Sequence, residues 1–178
     1  MITNIPWRIF HWEISTLQQR AKNRAPLDQS FSIRYAASHE KEIATEVALL
    51  ALKMNTEWND STILAREAIL QAKKRSFSGA PSPACFVVDH GGRIIATSML
   101  DTREEAPSHL LSGPWVLTEY RNRGLGSALL EASLEHLATA GLQQITALTR
   151  GNTTSSRFVY PKFGGVSAPC ASPELLLN

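Results

Sequence analysis

A run of β-forming residues ending at Trp115-Val116-Leu117 is followed closely by Arg121-Asn122-Arg123-Gly124-Leu125-Gly126, and then by a long helical pattern. This strand–turn–helix succession constrains the chain more than any other feature. Glycine at 124 and 126 lets the backbone turn tightly and approach a ligand with no Cβ in the way. A helix opening there presents unpaired N–H groups and a partial positive charge. Phosphate is the natural occupant of such a turn. Arg121 and Arg123 add charge, and Ser127 adds a hydroxyl. Three well-known motifs do not fit. Position 129 is Leu where a dinucleotide fingerprint needs a third glycine, Gly126 precedes Ser127-Ala128 rather than Lys-Ser/Thr, and no G-x-S-x-G elbow is present.

Upstream, Phe31, Ile33 and Tyr35 alternate with Ser32 and Arg34 as a short strand does. Ser38 is a candidate N-cap for a helix carrying Ile43, Val47, Leu50 and Met54 at helical spacing. A second helix is predicted from Asp60 or Ser61 to about Lys74. Cys85–Val88 and Arg93–Ala96 flank Asp89-His90-Gly91-Gly92 as a hairpin. The long helix after the glycine turn ends near Gly141, and Ile145, Ala147 and Thr149 alternate as a strand. A short helix and a tail follow. The order predicts an α/β domain over 31–178, with a mixed sheet covered by helices on both faces. Trp7, Phe10, Ile14 and Leu17 recur at helical spacing, so residues 1–30 are predicted to be an N-terminal helical extension. Its aromatic residues Trp7, Phe10 and Trp12 suggest contacts in a homodimer.

The chain has 178 residues, 43% of them hydrophobic and 19% charged, a balance that excludes wholesale disorder. Lys+Arg 18 against Asp+Glu 16 leaves +2, too mild for a dedicated nucleic-acid binder. Lys73-Lys74-Arg75 reads as a solvated helix end. No apolar run is long enough for a membrane span, and no continuous apolar stretch marks a signal peptide. Two distant cysteines, Cys85 and Cys170, argue against a disulfide framework and for a reduced, cytoplasmic setting. His39, His90, His109 and His136 show no metal-ligand spacing, so no metal is expected.

The run Arg121–Gly126 matches [R/Q]-x-x-G-x-[G/A], and Asn152 through Tyr160-Pro161-Lys162-Phe163-Gly164 matches an N…Y-x-K-x-G block. With a helix and a strand between them, the two resemble the GCN5-related N-acetyltransferase (GNAT) superfamily closely over 110–165 and more broadly over 31–178. That resemblance implies a mixed, mostly antiparallel central sheet flanked by helices and acetyl-CoA as cosubstrate. It implies pyrophosphate binding by Arg121, Asn122, Arg123, Gly124, Leu125, Gly126 and Ser127. Backbone N–H groups near Val116 and Leu117 would meet the thioester carbonyl, and Asn152 would face the cofactor. Tyr160 would protonate the departing thiolate. The sequence departs from the pattern at Thr118, where Pro is usual, and at Gly165, where Phe usually follows the glycine. Pro161 interrupts the last helix, and Asn152 to Tyr160 is one residue longer than usual.

The acceptor implied is a primary amine of a small molecule or protein. Such an amine arrives protonated, so a base is needed: Glu46, Glu57 and Glu119 are candidates and a water chain is the alternative, while Trp58, between the first two helices, would either line the acceptor cleft or pack in the core. Two other readings stand beside this one: a toxin-like acetyltransferase acting on aminoacyl-tRNA, and an acyl-CoA-binding sensor without turnover.

Overall fold

The computed structural model describes residues 5–20, 26–79, 83–171 and 174. Four antiparallel strands form one sheet in the order β2 (Phe31–Tyr35), β3 (Cys85–His90), β4 (Arg93–Leu100) and β5 (Leu110–Val116). The β3–β4 hairpin turns through Gly91 and Gly92, at φ 60° and 86°, and Asp89 Oδ1 accepts the Gly92 N–H at 2.8 Å. Helices α2 (Lys41–Lys53) and α3 (Thr62–Ser76) cover one face, and α4 (Leu125–Thr139) covers the other. Strand alternation at the end of β5 separates the two: Trp115 packs with Trp58, Ala65 and Ile69, whereas Val116 faces Gly126 of α4. Leu125, Leu129, Leu130, Leu134 and Leu137 of α4 are buried against the sheet. Each such burial is worth roughly 1.5–3 kcal/mol.

The N-terminal segment departs from the helix predicted for it. Trp7–Glu13 is a strand, β1, and the helix is confined to α1 (Ile14–Arg20). β1 lies between β6 (Gln144–Arg150) and β7 (Val166–Cys170) in a second antiparallel sheet. Its register runs from Trp7↔Arg150 to Glu13↔Gln144 on one side, and from Trp7↔Cys170 to His11↔Val166 on the other. The physical reason is the density of aromatic and β-branched residues in Trp7–Trp12, which suits a pleated surface better than a helix. Phe10 and Trp12, two apart, are 3% and 1% exposed. Trp7 leans on Trp58 with ring centroids 6.0 Å apart. The aromatic residues that suggested a homodimer are therefore accommodated within the chain.

The sheets meet where β5 and β6 begin. His109 N–H donates to the Thr146 carbonyl at 2.9 Å, and Ser108 Oγ accepts the Leu148 N–H at 3.3 Å. His109 Nδ1 accepts the Thr146 N–H at 3.0 Å, while Nε2 donates to the Arg103 carbonyl at 3.1 Å. Beyond this clamp no ladder joins β5 to β6 among the described residues, and a cavity lies between them.

Candidate active site

The cavity, about 470 Å³, is lined by the diverging ends of β5 and β6, the turn into α4, and the segment carrying Tyr160. At its α4 end the backbone turns through Asn122 and Gly124 at φ 62° and 79°, a region Asn and Gly tolerate. Gly124 is the N-cap, so the first N–H groups of α4 open here. A Cβ at Gly124 would point into open space, and one at Gly126 would meet only Val116 Cγ2 at 3.9 Å. The protein's own packing thus makes no demand for the small residue at 126; a closely approaching ligand would. Arg121 is held beside the turn by donating from Nε to the Val116 carbonyl at 3.3 Å.

Register decides which β5 amides face the cavity. Leu117 N–H donates to the Ile95 carbonyl at 3.0 Å, so that pair is hydrogen-bonded across the ladder. The adjacent pair Ala96↔Val116 is then the non-bonded kind, with the Val116 N–H turned away from β4. Just before it the β4–β5 register shifts between Thr97 and Met99. Gly113 is required at that bulge, because a Cβ would lie 2.8 Å from the Thr97 carbonyl. Tyr160 donates from its hydroxyl to the Gly113 carbonyl at 3.2 Å. Burial raises the Tyr160 pKa, keeping the hydroxyl protonated near neutral pH.

Tyr160 reaches this place through an unusual helix. Ser155–Val159 is π-helical and runs into α5 (Tyr160–Lys162). The wide turn absorbs one extra residue, which accounts for the long interval between Asn152 and Tyr160. Thr153 caps it: its hydroxyl accepts the Ser156 N–H at 3.1 Å and donates to the Arg150 carbonyl at 3.2 Å. Phe10 and Trp12 each meet the Tyr160 ring edge-on at 5.1 Å. Gly165 is explained by the same contact, since a Cβ there would lie 2.9 Å from the Trp12 ring. Trp12 occupies the space that a Phe at 165 would need.

A match to the Acetyltransferase (GNAT) family model covers residues 50–164. The chain belongs to this family of acyltransferases. Solved structures share the fold: a Drosophila protein from a structural genomics programme (12% identity, TM-score 0.60), a GCN5-related N-acetyltransferase from Kribbella flavida (15%, 0.59) and one from Sphaerobacter thermophilus (12%, 0.58). They cover 92%, 95% and 93% of this chain, which in turn spans only 48%, 56% and 49% of theirs. No curated protein matches the chain.

Set against this GNAT frame, the residues singled out from sequence divide into two groups. Val116, Arg121, Asn122, Gly124, Leu125, Gly126, Ser127 and Tyr160 share the cavity lining. Leu117, Arg123 and Asn152 do not. Leu117 is 2% exposed with its N–H committed to Ile95. Arg123 turns back to the Glu119 carbonyl (3.3 Å) and over the Tyr120 ring (5.4 Å). Asn152 Nδ2 donates to the Glu57 carbonyl at 3.0 Å, and Thr153 takes the lining position beside it. Among the carboxylates considered, Glu57 lines the cavity, while Glu46 is exposed and Glu119 pairs with Arg93 at 3.4 Å. Sequence reasoning missed Trp115, Ala65, Ala68 and Thr154 in the lining; only the pairing of Trp58 with a cleft hinted at them. Cys85 is buried, and burial pushes its thiol up to about 12, which suits packing and not nucleophilic chemistry. Among the described residues no group of His, Cys, Asp and Glu could hold a metal ion, and no helix is long and apolar enough to cross a membrane.

Proposed function

We propose that the chain is an acetyl-CoA-dependent N-acetyltransferase acting on a primary amine. The observation that supports this most is the opening of the glycine turn, the outward Val116 N–H and the Tyr160 hydroxyl onto one cavity. The Arg121–Ser127 turn fits a pyrophosphate by its helix N-terminus, its guanidinium and its lack of side chains. Acetyl-CoA supplies a thioester, whose C–S bond breaks as the amine nitrogen bonds to the carbonyl carbon. The ammonium gives up two of its three protons to solvent and keeps one as the amide N–H, while the sulfur takes one up. The Val116 N–H, uncommitted to β4, would meet the carbonyl oxygen as negative charge grows on it. Tyr160 exchanges its bond to Gly113 for one to the sulfur, gives it the proton that burial keeps on the phenol near neutral pH, and regains one from solvent.

Gly126→Leu tests the site. A Cβ at this position meets only Val116 Cγ2 at 3.9 Å, and leucine is a better helix former than glycine, so the fold should hold. The melting shift given by acetyl-CoA should vanish. A full shift in the variant refutes the assignment. Acetylation of a pooled amine library separates the enzyme from a sensor. The tRNA reading is disfavoured by the mild net charge of +2.

A further inference from the structure

Resting on the acetyl-transfer reading, we propose that the acceptor is a monocationic primary amine carried on an aromatic or bulky apolar body, an arylalkylamine, with Glu57 receiving its ammonium group. The cavity is divided in character. Among the described lining residues, Arg121 beside the α4 turn is the one cationic side chain and Glu57, held against Thr154, the one carboxylate.

The lining also holds Trp58 and Trp115, each 9% exposed, with ring centroids 6.0 Å apart. Trp115 satisfies its own indole N–H by donating to Ser112 Oγ at 2.6 Å, so what it offers a ligand is ring surface. From α3, Ala65 packs against the two rings and Ala68 joins the lining, so this part of the cavity wall is apolar.

The carboxylate of Glu57 is oriented rather than free. Its Oε1 accepts the Thr154 N–H at 3.0 Å and the Thr154 hydroxyl as well. Among the described residues Oε2 meets only Asn55 Nδ2, at 3.4 Å, and keeps acceptor capacity. The Glu57 backbone is fixed too, its carbonyl accepting from Asn152 at 3.0 Å and from Arg150 at 3.2 Å. One immobilised carboxylate next to aromatic walls matches one ammonium on an apolar body. A polyamine would bring further charges for which the described lining residues hold no second carboxylate.

The test compares phenethylamine and tryptamine with spermidine and a lysine-containing peptide as acceptors for acetyl-CoA. Arylalkylamines should exceed both by at least roughly tenfold in kcat/KM, and Glu57→Gln, which keeps size and the Thr154 contact, should raise their KM roughly tenfold, the worth of one charge-assisted hydrogen bond. The acetyl-CoA melting shift should be unchanged in that variant. Equal or better use of spermidine or peptide overturns the inference, as does an unaltered KM in Glu57→Gln. A normal acetyl-CoA shift with no acetylation of any amine, and no calorimetric binding of phenethylamine to the CoA-loaded protein, also overturns it. Absence of the acetyl-CoA shift in the unmutated protein refutes the acetyl-transfer reading itself.

Discussion

Trp12→Ala would remove a side chain that is 1% exposed and packed on Phe10, Tyr160 and Gly165. Truncating a core Trp or Phe costs about 3–5 kcal/mol. For a domain of this size each kcal/mol lowers Tm by about 2–4 °C, so a drop of about 6–20 °C is expected. Were residues 1–30 an appended helix, the change would stay within about 0.5 kcal/mol, as surface substitutions do. Gly165→Ala supplies the other arm of a double-mutant cycle. Its Cβ would lie 2.9 Å from both the Trp12 ring and the Tyr160 carbonyl. Alone it should cost about 1–3 kcal/mol by overpacking. Combined with Trp12→Ala the ring clash disappears, so the two losses should sum to more than the double variant shows. Thermal melts of the four proteins measure this. A Tm within 2 °C of the parent for Trp12→Ala, or strict additivity of the pair, would refute the placement of β1 beneath Tyr160.

Tyr160→Phe keeps the ring between Phe10 and Trp12 and removes only the hydroxyl; acetyl-CoA affinity should hold while single-turnover acetyl transfer falls by about 10²–10⁴-fold, and a rate within twofold of the parent excludes the role. His109 must be neutral to accept the Thr146 N–H, and desolvation by burial lowers its pKa below the ordinary histidine value. The unfolded chain therefore binds the proton more readily, so stability is full above about pH 6.5 and declines as pH falls below it. Melting curves between about pH 7 and 5 should show that slope, flattened in His109→Gln; a slope identical in both proteins would assign the acid sensitivity to other groups.

The sequence reading located every element whose pattern is local. The β3–β4 hairpin is announced by Gly91-Gly92, α4 by its leucine stripe, and the turn before it by two glycines that open onto the cavity. What escaped were features set by partners far along the chain. Trp7, Phe10, Ile14 and Leu17 satisfy a helical period, but Phe10 and Trp12 equally satisfy a period of two, and pairing with β6 and β7 decides between them. β7 is short and holds Pro169, so nothing local marked it as a strand. Leu117 and Val116 are neighbours with similar side chains; ladder phase alone commits one N–H to Ile95 and turns the other outward. Asn152 and Thr153 were separable only once the π-helix showed where the additional residue goes.

The position of β1 bears on the history of each molecule as well as on its final shape. The strand is made early, yet both its neighbours, β6 and β7, are made near the end of the described chain. During synthesis Phe10 and Trp12 must wait, unpaired, until residues 144–170 have emerged, while β2 to β5 can already close on local contacts. Pairings this distant in sequence are slow to form and leave apolar strands open to wrong partners meanwhile. Assembly of the second sheet is therefore the late step, and Tyr160, which rests on Phe10 and Trp12, gains its setting only then. A nascent chain would have the Arg121–Ser127 turn, proposed to hold phosphate, before Tyr160, the proposed acid, was seated.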